Sequence, residues 1–130
     1  MISYDRLMEA RDLAVGLAGG RIAIGVVSLL TPGRVGRAMM GPDADSGGTR
    51  LLLRVVGARD LALGIGVLAA LDRDAPVHGW LRASAVVDGL DAAGSVLARH
   101  HLRPTVFPAA AGAAAAGALL SGWLAGQLDG

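Results

Sequence analysis

Ionisable residues stand inside apolar stretches long enough to cross a lipid bilayer, and that combination leaves few folds open to this chain. Arg21 falls in residues 13–31, Arg54, Arg59 and Asp60 in residues 51–71, and Asp88 and Asp91 in residues 79–98. A charge in hydrocarbon is costly, so such groups face a protein interior, pair with one another and mark a candidate site. A fourth block, residues 105–125, carries no charge at all. Each block supplies the roughly 20 residues that a membrane-spanning helix needs. The expected fold is all-α: a four-helix transmembrane bundle in which residues 1–130 form one integral membrane domain.

The rival fold is a soluble helical bundle rich in Ala and Gly, two residues that are nearly neutral on transfer scales. The uncharged stretch from Pro104 to Leu128 argues against it, as do a mean hydropathy of +0.52 and a charged fraction of only 18%. All twelve basic residues are arginines scattered along the chain, and the net charge is +1. No contiguous basic tract exists of the kind that nucleic acid or an anionic lipid surface attracts, and nucleic acid is excluded as a partner. With no cysteine, disulfides, thiolate metal sites and thiol redox chemistry by this chain alone are excluded as well. The first twelve residues mix Asp5, Arg6, Glu9, Arg11 and Asp12 with Leu7 and Met8, unlike the basic start of a cleavable signal. They read as a short amphipathic lead-in.

Punctuation agrees with the blocks. Thr31-Pro32-Gly33 ends the first helix, because Pro disfavours helical geometry in the residue before it. The following segment through Arg50 is the longest non-helical stretch expected, with Val35 to Met40 lying along the membrane interface. Asp72 to Pro76 and Arg99 to Pro104 make the remaining turns, short enough to favour antiparallel neighbours. Trp80 opens the third helix and Trp123 closes the fourth, which places both at one membrane face, where aromatic anchors concentrate. Arginine counting across the turns favours both termini outside. We expect an integral protein of a bacterial plasma membrane.

In lipid, small residues that let backbones approach become the adhesive between helices. Gly16 with Gly20 and Gly122 with Gly126 form such pairs, and the fourth block is smooth with Ala and Gly along most of its length. They serve either packing within the subunit or a homodimer seam through the Gly/Ala-rich helix faces.

Apart from Arg21 in the first block, the candidate site residues fall on the second and third blocks. Ser84, Asp88, Asp91, Ser95 and Arg99 recur at spacings of four, three, four and four, which aligns them along one helical face. Two carboxylates at i and i+3 repel unless an arginine or a cation neutralises them. On the insertion scale an Arg or Asp at a helix centre costs about 2.5 to 3.5 kcal/mol and each Leu, Ile or Val returns about 0.3 to 0.6. By that scale the third helix inserts unfavourably by roughly 2 to 4 kcal/mol when alone. Its charges must therefore meet the rest of the bundle, and Arg21, Arg54 and Arg59 match Asp60, Asp88 and Asp91 in number.

The string Arg54-Val-Val-Gly57-Ala-Arg59-Asp60-Leu-Ala-Leu-Gly64 resembles the R-x-x-G-x-R-D-x-x-x-G signature of a family of small four-helix membrane proteins of unknown function, loosely DoxX-like. Gly57, Asp60 and Gly64 lie at i, i+3 and i+7, so the glycines bring a neighbouring helix close to the Asp60 carboxylate. The resemblance implies links to quinone or thiol redox systems, and the lack of cysteine speaks against the thiol branch. Residues 10–16 nearly repeat residues 58–64, with Val for Leu as the one change. In antiparallel helices that echo has the sense of an inverted repeat, or else reflects a shared preference for helix starts.

No metal site is read: Asp43-Ala44-Asp45 is turn chemistry and His100-His101 an interfacial cationic loop, each short of a ligand set. The sequence specifies no cofactor, and no phosphate-cradling loop or nucleophile elbow appears. Three functions remain open. The first is a membrane bundle that binds a lipid-like or quinone-like small molecule, or a partner membrane protein, through Arg21, Arg54, Arg59, Asp60, Ser84, Asp88, Asp91 and Ser95. The second is a proton- or ion-coupled transporter, and the third a membrane enzyme using Asp88 and Asp91 as acid and base on an apolar substrate.

Overall fold

The computed structural model describes residues 3–129, and helices carry all of its regular structure. In chain order they are α1 (Tyr4–Leu30), α2 (Pro32–Met40), a single 3-10 turn (Pro42–Ala44), α3 (Gly47–Asp72), α4 (His78–Leu97) and α5 (Val106–Gln127). Four long helices result, as expected from the apolar blocks, with three differences at their ends.

The lead-in is not separate: α1 begins at Tyr4, with Asp5 in its first turn favourable to the helix dipole. Met1 and Ile2 lie outside the described residues. The segment expected to be non-helical contains α2, because Pro32 stands at the first helical position, where its missing N–H has no cost. Gly36 of α2 lets the helix lie against Thr49 and Leu53 of α3. Finally, α3 starts four residues before the apolar block, where the Ser46 hydroxyl accepts the Thr49 N–H at 3.1 Å as an N-cap.

Two hairpins make the bundle. In the first, α1 runs antiparallel to α3: Gly25 opposes Gly57, Ala18 opposes Gly64, and Arg11 donates to the Leu71 carbonyl at 3.0 Å. The glycines set the separation, since a Cβ at Gly57 would lie 2.8 Å from the Gly25 carbonyl oxygen. In the second, α4 runs antiparallel to α5, with Asp88 against Gly117 and with His78 and Arg82 reaching Asp129 at 3.1 and 3.0 Å. Trp80 lies over Gly66 and joins α4 to α3.

The apolar core sits at the end where α1 and α4 begin and α3 and α5 finish. Ala10, Ala14, Val67, Leu71, Leu81 and Leu124 are its centre. Toward the α2 end the packing loosens, and α5 has no buried residue before Ser121. Within the subunit Gly16, Gly20, Gly122 and Gly126 do not pack against a neighbouring helix, since open space stands where a Cβ would be. Close approach falls instead to Gly25, Gly57, Gly64, Gly66 and Gly117, which face a neighbouring helix.

Candidate functional site

Midway along the bundle, Arg21 of α1 reaches two other long helices. Its Nη1 donates to Asp60 Oδ1 of α3 at 2.9 Å, and its Nη2 donates to Asp88 Oδ2 of α4 at 2.5 Å and to the Ser84 carbonyl at 3.3 Å. All three charged side chains are nearly sealed from solvent, with 8 to 12% of each exposed. A planar guanidinium suits this work, because its forked donors can meet two carboxylates at once. The register explains the meeting: the Gly25–Gly57 and Ala18–Gly64 contacts place Arg21 at the level of Asp60. On the far side Gly117 leaves room for the Asp88 carboxylate, which sits where a Cβ would be.

A second pair flanks the first. Arg59 grips Asp91 with two hydrogen bonds of 3.0 and 2.7 Å and touches Asp60 at 3.4 Å, so α3 and α4 are joined twice. This pair is more open, with 30% of Arg59 and 41% of Asp91 exposed. Together Arg21, Arg59, Asp60, Asp88 and Asp91 form one network, three carboxylates against two guanidiniums. Its net charge is therefore one negative, not the neutral six-residue set expected.

The missing positive charge is Arg54. It is exposed and joins no ion pair among the described residues, because it lies about 120° around α3 from Asp60. Asp88 pairs with Arg21 of α1 and with neither arginine of the second block. Ser95 stands half-buried outside the hydrogen-bonded set, and Arg99 falls past the end of α4, where it donates to the Val96 carbonyl at 2.9 Å. The stripe thus ends in practice at Asp91. Comparison of the chain with protein-family models, with curated proteins and with solved structures finds no match.

Sequence reasoning missed Ser121. Its hydroxyl is fully buried and has no hydrogen-bond partner among the described residues, and the same holds for the hydroxyl of Ser84. With Asp88 opposite Gly117 in antiparallel helices, Ser84 and Ser121 fall at one level, a turn away from the carboxylate. The signal was present, since Ser121 is one of few polar residues in an otherwise apolar block and shares a face with Gly117.

Two adjoining cavities lie away from this network, at the core end. The first, about 470 Å³, has Leu7, Leu71, Val77 and Leu128 as an apolar floor and Arg11, His78 and Asp129 among its polar lining. The second, about 570 Å³, is shallower and shares Arg11 and Leu71 with the first. Arg11 also stands 3.6 Å from Asp74 in the turn between α3 and α4. The echo between residues 10–16 and 58–64 therefore does not place like at like depth. Arg11 and Asp12 are at the bundle's end, whereas Arg59 and Asp60 are at its middle. No group of metal-ligating side chains occurs among the described residues.

Proposed function

We propose that this chain is a small membrane protein of four spanning helices that binds a lipid-like amphiphile, and that its Arg/Asp network is the frame holding the two hairpins in register. The observation that carries this reading is the inversion of polarity across the bundle. Arg21, Asp60, Ser84, Asp88 and Ser121 are inside, while Ile24, Leu52, Leu90 and Leu119 are more than half exposed. Two helices, Tyr4–Leu30 and Val106–Gln127, are long and apolar enough to cross a membrane, and only 6% of the apolar stretch in the second is buried. In water that surface would be costly, whereas acyl chains would cover it. The other two helices, α3 and α4, match the bilayer in length but carry the charges that the network neutralises.

For the ligand, the adjoining cavities offer an apolar floor with a few convergent polar groups, the arrangement typical of a small-molecule site. A single-chain amphiphile fits this lining, its tail on Leu7, Leu71 and Leu128 and an anionic or hydroxyl head at Arg11. Trp80 and Trp123 stand at the same end, as expected where such a molecule would enter from the interface. The test is mass spectrometry of the protein purified in mild detergent. A co-purified small molecule is expected, with at least a tenfold loss of retention in Leu128→Trp, which fills the floor, and in Arg11→Gln. Equal retention in wild type and both variants would remove the reading.

A second reading rests on the network's uncompensated negative charge, which a proton would neutralise, and it makes the chain a proton-coupled transporter. Asp88→Asn or Asp91→Asn should then abolish pH-driven flux into proteoliposomes without disturbing the helical circular dichroism. Unchanged flux in both variants excludes it. The acid/base pairing that an enzyme would need has less support, since Asp88 and Asp91 each serve a different arginine.

A further inference from the structure

The basic residues are scattered in sequence but gathered in space. The N–H of Arg103 donates to the Met39 carbonyl at 2.9 Å, which fastens the α4–α5 turn to the end of α2. Asp45 accepts from Arg37 of α2 and, at 2.5 and 3.0 Å, from Arg50 of α3, which fastens α2 to the start of α3. The hydrogen bond from Arg50 is the main cause holding the Asp45 carboxyl below its usual range, so this clasp stays charged at neutral pH. Turns that are more than fifty residues apart thus form one surface at the α2 end of the bundle.

Its charge is lopsided. Arg34, Arg37, Arg50, Arg99 and Arg103 stand there against only Asp43 and Asp45, with His100 and His101 beside them. At the opposite end four arginines face six carboxylates. Among the described residues Arg34 and Arg103 are exposed and join no ion pair, and Arg99 bonds only a backbone carbonyl. Meanwhile α2 buries Pro32 and Gly36 against the bundle and turns Arg34 outward, with Val35, Met39 and Met40 half-covered. That is the build of a helix lying in the membrane interface, with its cations among the headgroups.

We infer that this end is a docking surface for anionic phospholipid, the α2 helix and the α4–α5 turn together contacting the phosphates of one leaflet. The chain has no contiguous basic tract, and the fold supplies by juxtaposition what the sequence does not supply in a run. Juxtamembrane basic residues near a charged leaflet each strengthen attraction enough to matter, and the sum falls with salt. The inference rests on the membrane reading above, and the experiment separates the two.

The full chain is reconstituted into nanodiscs of mixed phosphatidylglycerol and phosphatidylcholine, and the lipids that stay bound on release into the gas phase are counted. Wild type should retain phosphatidylglycerol in preference, and the preference should fall about fivefold or more in Arg34→Gln/Arg103→Gln, given the usual strength of such contacts. Arg6→Gln/Arg82→Gln, which removes the same charge from the other end, should keep it. If the chain stays embedded after carbonate washing yet both double variants match wild type, this inference is overturned alone. Release of the chain by carbonate overturns it together with the membrane reading.

Discussion

Arg21→Met is expected to lower the unfolding free energy by about 3 to 5 kcal/mol, the usual cost of removing one partner from a buried ion pair. The size follows from position: one guanidinium serves Asp60 and Asp88, which come from different hairpins, and also the Ser84 carbonyl. Without it two carboxylates remain in the interior with only Arg59 nearby, 3.4 Å from Asp60 and already bound to Asp91. Denaturant unfolding in detergent micelles reads the loss. The same assay on Arg21→Met/Asp60→Asn/Asp88→Asn should recover most of it, because a neutral set of similar shape leaves no bare charge. A loss of less than about 1 kcal/mol in the single variant, the ordinary size for any substitution, would mean that the hairpins are held by something else. Arg21→Lys should fall between, since an ammonium keeps the charge but lacks the fork that meets two carboxylates.

The charges themselves were legible in the sequence because each interrupts an apolar run, and their burial follows from the cost of leaving them in lipid or in an apolar surface. Their pairing was not. Which arginine meets which aspartate depends on the register between α1 and α3, and that register comes from close backbone contacts at Gly25, Gly57 and Gly64. Twenty glycines in the chain look alike to a pattern search. Pairs four apart, such as Gly16 and Gly20, match the packing motif better than Gly25, which has no such partner, yet only Gly25 lies against another helix. For Arg54 the helix geometry is decisive. At 100° per residue it cannot share a face with Asp60, so the neutral tally of three against three failed on helix geometry alone. For α2, Gly and Pro read as loop residues, but Pro at a first helical turn and Gly at a close contact are both compatible with a helix. Tertiary contact with Thr49, Leu53 and Asp45 decided the matter.

The same register makes Gly57→Val the second large effect. A Cβ built at Gly57 stands 2.8 Å from the Gly25 carbonyl oxygen, 2.9 Å from Ser28 Cβ and 3.1 Å from the Leu29 nitrogen. Two of these atoms belong to the α1 backbone, so no side-chain rotation can make room and the helix itself must shift. Overpacking of this kind costs about 1 to 3 kcal/mol. Here the cost should reach the upper end of that range or exceed it, because Asp60 lies one turn along α3 and a displaced α1 carries Arg21 away from it. Two measurements check the expectation. The unfolding midpoint should fall, and a spin-label pair on α1 and α3 should report a wider separation, with labelling made clean by the absence of native cysteine. The comparison is Gly16→Ala, on the same α1 but with nothing within 4 Å of the new methyl. That change should be neutral or stabilising by up to about 1 kcal/mol, since alanine is the better helix former. Equal losses at the two positions would mean that helix propensity, not close approach, governs these glycines, and the register that brings Arg21 to Asp60 would then need another cause.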